Sequence, residues 1–505
     1  MEKHIVIGAG PAGLTAAWQL SKLGREVHIL EADPQYVGGI ARTVSYKGNR
    51  FDMGGHRFYS KSAEINHLWQ EMLPHDFIQV PRLSRIYYKR QFFPYPLNVR
   101  ATLLGLGLWR SCKIGLSYLG ARLRPRQPEA SFEDWIVNRF GYELFTTFFK
   151  TYTEKVWGIP CTEISKDFAG QRIRGLSLSE ALKNALFPPK DNSNIKTLIK
   201  TFTYPRLGPG QLWERVRDEV LAQGNQLELG KTVVKMYHSD GVMDAVETQD
   251  GCIYEGSHFY MTMALKDFVN ALDPAPPPEV LHAGNALRYR DFLTVALVVD
   301  RVHLFPDNWI YIHEPSVHVG RIQNYKNWSP DMVADPSKTC LGMEYFVNEG
   351  DPLWSMSDAD LLHMAAQEVE QIGLAKASEC RDGHVVRLRK TYPIYDEYYK
   401  DHLRTLKGWC NTYFKNVYPA GRGGLHNYNS QDHSMVMAIL SVRNMSEGAI
   451  FDVWAINTEE EYAEEGQAKL ESELRLAPQP VSPPHILKGI NLTDRKFKPT
   501  TTGKW

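Results

Sequence analysis

His4-Ile5-Val6-Ile7-Gly8-Ala9-Gly10-Pro11-Ala12-Gly13 opens the chain, and Val27-His28-Ile29-Leu30-Glu31 follows it. The β-branched run Ile5–Ile7 reads as a strand that feeds directly into three glycines. A helical pattern over Leu14–Leu23 closes on Gly24, and a second apolar strand, Val27–Leu30, ends on an acid. Strand, glycine turn, helix, strand and acid form the dinucleotide-binding fingerprint in its full context, where a bare G-x-G-x-x-G says little. Gly8 permits the tight turn, Gly10 brings backbone against a pyrophosphate, and Gly13 lets helix and strand pack closely. Free N–H groups at the helix start receive the negative charge. Glu31, 18 residues beyond Gly13, is placed for the ribose hydroxyls.

Two further glycine loops follow. Val37-Gly38-Gly39-Ile40-Ala41-Arg42 comes directly after the acid, and its glycine pair with Arg42 suits a second phosphate-side loop. Phe51-Asp52-Met53-Gly54-Gly55-His56 adds another pair with a polar residue behind it. Two such loops after one fingerprint point to FAD rather than NAD, because a flavin extends past the pyrophosphate and needs backbone close to its ring as well. Gly55 and His56 are the residues expected near that ring. A histidine satisfied by a backbone carbonyl is the alternative reading of His56.

The rest of the chain bounds this reading. Its 505 residues exceed one ordinary core, so two or three interleaved domains are expected. Lys plus Arg and Asp plus Glu are both 58, so bulk charge does not argue for nucleic acid. Six scattered cysteines without a C-x-x-C pair make a disulfide framework and a zinc or other metal site unexpected, and suit a reducing cytoplasm. With the fingerprint strand starting at residue 4, no leader is expected ahead of it. Ala101–Leu119, the most apolar stretch, is broken by Arg110 and Lys113 and is poor for a spanning helix. It reads as a half-buried helix, or else as one facing a membrane surface or a partner.

The expected fold class is α/β: a Rossmann-like FAD-binding domain interleaved with a helical domain and a mixed-sheet substrate domain. FAD-binding parts are expected over residues 1–60, 201–285 and 401–457. A mainly helical insertion falls over 61–200, the substrate domain over 286–400, and a peripheral acidic, proline-containing tail over 458–505. The return at 201–285 places Val233 or Val234 beside the adenine. A helix is expected from Asp358 to Ile372. Tyr392, Tyr395 and Tyr398 belong to a run with four tyrosines in eight residues, which fills either a core or, beside arginines, a polar-ligand pocket.

Together these segments resemble the flavin-dependent amine oxidase superfamily and, within it, the UDP-galactopyranose mutase family. Tyr152-Thr153-Glu154-Lys155-Val156-Trp157-Gly158 is similar to a mutase segment of nearly the same spelling. Arg172 and Arg174 lie soon after it, as arginines do in that family, and Arg321 sits where a further diphosphate-binding arginine is found. Gly421-Arg422, followed by Tyr428, Asn429 and Asp432, looks like the family's final flavin-binding stretch. Departures are Ile40, where many superfamily members have a second arginine, and Ser430, where the mutase has tyrosine. The resemblance implies reduced FAD acting as a nucleophile on a nucleotide sugar, without net oxidation, and NAD(P)H is a candidate reductant. It implies His56, Arg172 or Arg174, Arg321 and Tyr395 as catalytic candidates. It implies Trp157, Tyr392, Tyr398, Tyr428 and Asp432 as substrate contacts. Protoporphyrinogen oxidases and carotenoid desaturases share the superfamily, so the rival implication is an FAD-dependent oxidoreductase acting on an apolar or amine substrate.

Overall fold

The computed structural model describes residues 2–95, 102, 105–168, 201–448 and 451–456. Arg172, Arg174 and the expected tail lie outside the described residues.

Five strands form a wholly parallel sheet in the order Val417–Pro419, His258–Met261, Lys3–Ile7, Glu26–Glu31, Gln226–Leu229. Lys3–Ile7 lies at its centre, and Ile5 and Val6 are wholly buried because both faces of a parallel sheet are covered. The glycine-loop helix Pro11–Lys22 packs on this sheet and against the helices Gly210–Ala222 and Gln431–Glu447. The strands read around Ile5, Val27, Leu227 and Phe259 all belong here, which makes the sheet the Rossmann-like unit the fingerprint implies. Its loops open at the carboxyl ends of the strands, where open α/β sheets bind ligands.

A second, seven-stranded sheet runs Cys380–Pro393, Tyr289–Val299, Thr339–Val347, Arg321–Asn324, Trp309–Ile312, Ser84–Tyr88, Gln91–Pro94. It is antiparallel except where Trp309–Ile312 runs parallel to Ser84–Tyr88. Helix Asp358–Ile372 covers one face, with Leu361, Ala365 and Val369 set on Leu293, Val295 and Leu297. Phe292, Trp309 and Tyr392 on the other face join a core shared with Ile136, Phe145 and Trp157.

Among the described residues of 61–200, helices dominate as expected, with one stretch of strands. Helices Leu108–Leu123, Phe132–Phe140, Tyr142–Phe148 and Lys150–Trp157 are present, and Ser131 starts the second of these with a capping box to Asp134. However, Phe77–Pro94 forms three strands. Two of these strands have partners far along the chain, Phe77–Pro81 on Thr201–Pro205 and Ser84–Tyr88 on Trp309–Ile312, while Gln91–Pro94 folds back on Ser84–Tyr88 as a hairpin.

Candidate functional site

The first strand ends at Ile7 and the chain turns at Gly8, whose φ of +100° an L side chain rarely adopts. A Cβ on Gly13 would fall 1.8 Å from the Gly8 carbonyl oxygen, so helix and strand meet there without room for a methyl group. Helix Pro11–Lys22 has Gly10 at its N-cap, no side-chain cap and no acid in its first turn. Its leading N–H groups are therefore free for an anion. Gly39 lies against Gly10, where a Cβ would sit 3.2 Å from the Gly10 Cα.

These loops wall a cavity of about 770 Å³, within the roughly 300–1,000 Å³ of cofactor and ligand sites. Gly8, Gly10, Glu31, Gly39, Arg42, His56, Val233, Gly421, Arg422 and Asn429 line it, as does Gln431. Oε2 of Glu31 accepts from the Ala9 N–H at 2.5 Å and Oε1 from the Asp33 N–H at 2.8 Å. Burial nonetheless holds that carboxyl above the usual range. Arg42 is anchored through Nη1 on Asp33, while its buried Nε has no partner. Both amide atoms of Gln431 are likewise buried and without partners. An unpaired donor and a donor–acceptor amide on a cavity wall fit a phosphate and a heterocycle edge. Burial, followed by the charges of Arg422 and Arg321, pushes the His56 imidazole down to about 4, so it is neutral at pH 7. Its Nε2 lies 3.1 Å from the Met53 carbonyl, which bears out the carbonyl-satisfied reading without removing the residue from the cavity.

An arginine- and tyrosine-rich cluster adjoins His56; of it Arg422 lines the cavity, while Arg321, Trp157, Tyr392 and Tyr428 do not. A Cβ on Gly54 would lie 3.5 Å from both Arg321 Nη2 and His56 Nε2. Arg321 is ion-paired through Nε with Glu344, which is wholly buried, and Gln323 donates to the other carboxylate oxygen at 2.9 Å. Burial raises the Glu344 carboxyl and the Arg321 charge opposes that rise. Arg422 donates to the carbonyls of Thr391 and Asn429 and lies 4.9 Å from the Tyr428 ring and 5.5 Å from the Tyr392 ring. Trp157 meets Tyr428 edge-on at 5.5 Å, and Tyr152 stacks on His313 at 4.7 Å.

Residues 6–72 match a family model described as an NAD(P)-binding Rossmann-like domain. Curated relatives match over short stretches. An inactive all-trans-retinol 13,14-reductase of Danio rerio is 52% identical over 50 residues, 10% of this chain and 8% of the relative. A 1-hydroxycarotenoid 3,4-desaturase of Flavobacterium sp. (strain P99-3) is 44% identical over 54 residues, 11% of each. The match thus spans about a tenth of those relatives. Solved structures align over nearly the whole chain. Reduced UDP-galactopyranose mutase aligns with a TM-score of 0.77 at 19% identity, covering 91% of this chain and 99% of that one. A putative protoporphyrinogen oxidase from Exiguobacterium sp. 255-15 gives 0.66 at 18%, covering 88% and 98%. Putrescine oxidase bound to putrescine gives 0.60 at 15%, covering 88% and 98%. The chain shares its fold with these three solved structures and opens on a Rossmann-like domain.

Within that fold, several site expectations need correction. Tyr398 is 61% exposed. Pro393 ends its strand and the chain then turns outward into the helix Tyr399–Tyr413, so Tyr398 faces solvent. Tyr395 is buried away from the cavity wall, stacks on Tyr399 at 4.4 Å and accepts the Tyr428 N–H at 2.7 Å. It thereby holds the Tyr428 backbone. Asp432 is buried in the first turn of the helix Gln431–Glu447 and accepts from the Ser430 hydroxyl. Gly13, Gly38 and Gly55 shape the loops behind the cavity but do not line it. Sequence reading missed Glu344 and Gln431. Glu344 had a signal, as the one charge in the otherwise uncharged strand Thr339–Val347. Gln431 had none.

Proposed function

We propose that this chain is an FAD-dependent enzyme acting on a nucleotide sugar, interconverting its pyranose and furanose forms as the UDP-galactopyranose mutase resemblance implies. FAD, when bound and reduced, would supply an electron-rich ring as nucleophile. The chain's own residues hold and orient. The helix Pro11–Lys22 and Arg42 would receive the pyrophosphate, Glu31 the ribose, and Val233 the adenine. Gln431 and Asn429 would take the ring edge. Arg422 has carbonyl partners, so its charge is not neutralised there, and it favours negative charge on the ring. His56, held neutral by its surroundings, would contact the ring without adding charge.

The observation that carries the substrate class is Arg321, locked by buried Glu344 beside Gly54 and His56 and next to the Trp157–Tyr428–Tyr392 aromatics. A guanidinium fork suits a diphosphate whose charge grows as a sugar–phosphate bond breaks. Arg422, held on carbonyls while Arg321 is paired with Glu344, leaves a positive charge at this end that disfavours a cationic amine and argues against the oxidoreductase reading for amine substrates. The structural likeness to the mutase over 99% of that chain supports the same choice.

Dithionite-reduced protein incubated with UDP-galactose and related nucleotide sugars is the test. A furanose product formed without consumption of reductant is expected. Turnover that requires an electron acceptor would transfer the chain to the oxidoreductases, and purified protein with no flavin absorbance would overturn both.

A further inference from the structure

The helix Leu108–Leu123 is the feature the cavity does not explain. Trp109, Leu116, Leu119 and Leu123 are 77%, 70%, 57% and 82% exposed. They recur every three, four or seven residues, and so form one stripe along the helix. Ile114, on the opposite side, is buried in the core, so the helix is anchored with its apolar stripe outward. Lys113 and Arg124 flank the stripe on one side and Arg122 on the other, all exposed. Arg110 donates to the Tyr88 hydroxyl at 3.2 Å and ties the helix to the strand Ser84–Tyr88, beyond which Lys89 and Arg90 are also exposed. Residues 77–128 hold ten basic side chains and no acidic one, in a chain whose totals of 58 basic and 58 acidic residues balance; of the ten, Arg85 pairs with Asp307 and Arg126 with Glu133 and Asp134.

We infer that this helix is a docking surface for an anionic lipid bilayer, lying in the plane of the membrane with its leucines among the acyl chains and Trp109 at headgroup level. The helix has 16 residues, and among the described residues no helix is long and apolar enough to cross a membrane, so the contact is with one face of the bilayer. A second copy of the chain is disfavoured, because pairing the stripes brings two basic rims together. The charge around an exposed apolar stripe calls for a negative surface that also accepts hydrocarbon, and a bilayer containing anionic lipid offers both.

The full chain is co-pelleted with vesicles of phosphatidylcholine alone or with phosphatidylglycerol added. Binding is expected to the mixed vesicles and to fall as salt rises. The combined variant Lys113→Gln, Arg122→Gln, Arg124→Gln is expected to bind roughly a hundredfold more weakly, at about fivefold per basic residue. The combined variant Leu116→Ser, Leu119→Ser, Leu123→Ser is expected to lose binding while keeping its circular dichroism, since these side chains are exposed. Folded protein that ignores anionic vesicles, binds both compositions equally, or binds undiminished in either variant would overturn the inference. So would a dimer seen by sedimentation without lipid and abolished by the serine variant, which would make the stripe a self-association face. No substituted residue lines the cavity, so this outcome is independent of the catalytic reading.

Discussion

Asp52 shows how one side chain couples two parts of the molecule. It ends the strand Asn49–Asp52, wholly buried, accepting from Thr43 Oγ1 at 2.8 Å and from the Tyr204 hydroxyl. Burial outweighs these hydrogen bonds and pushes its carboxyl up to about 7. The folded state thus holds a proton that the unfolded chain releases near pH 4, and this group's contribution to stability falls as pH rises from about 4 to about 7. The slope is up to about 1.4 kcal/mol per pH unit in that window. Asp52→Asn is expected to flatten it, as read from urea midpoints at pH 5 and pH 8; equal slopes in both proteins would refute the assignment. Arg321 is a second such residue. Removing its side chain would strand Glu344, so Arg321→Lys is the cleaner probe. It keeps the charge but loses the fork, and is expected to weaken nucleotide-sugar binding by about 2 kcal/mol in calorimetric titration. Unchanged affinity would remove Arg321 from the substrate site. At this scale, residue type was a good guide where chemistry demands one type, as at Glu31 and Arg42. It failed at Tyr398, because a tyrosine run does not state which of its members turns inward.

At the scale of elements, the strand–turn–helix unit depends on one contact. Gly13→Ala places a methyl 1.8 Å from the Gly8 carbonyl oxygen, a backbone atom that gives way only if the helix leaves the strand. A loss of about 3 kcal/mol or more is expected by denaturant unfolding, together with loss of bound flavin. Wild-type stability would show that the unit has slack there. Elements with local signals were legible. The helix read at 358–372 is observed at Asp358–Ile372, where the Ser357 hydroxyl accepts the Asp360 N–H and Gly373 ends it at φ +85°. Phe77–Pro94 was not read as strands: Phe77–Pro81 and Ser84–Tyr88 are held by Thr201–Pro205 and Trp309–Ile312, distant in sequence, and the hairpin of Ser84–Tyr88 with Gln91–Pro94 was missed.

At the scale of the whole molecule, the cavity is assembled from loops at opposite ends of the chain. Gly10, His56, Val233, Thr391 and Gln431 meet on its wall. A ligand that touches all of them binds the folded state alone. FAD added to flavin-free protein at about 100 times its dissociation constant should therefore contribute about 2.7 kcal/mol. That appears as a thermal unfolding midpoint raised by about 2–3 °C in scanning calorimetry, and no shift would deny the cavity its cofactor. The amino-acid sequence by itself determined the Rossmann-like unit and its second and third glycine loops, because turn glycines, strand runs and a terminal acid act over a few neighbouring residues. Only the tertiary structure decided that Arg321 is tied to Glu344, that Gln431 faces the cavity while Tyr398 faces solvent, and that Leu116, Leu119 and Leu123 point outward. Those outcomes depend on which distant segments pack together, and burial and charge at a residue are set by neighbours that local spacing does not encode.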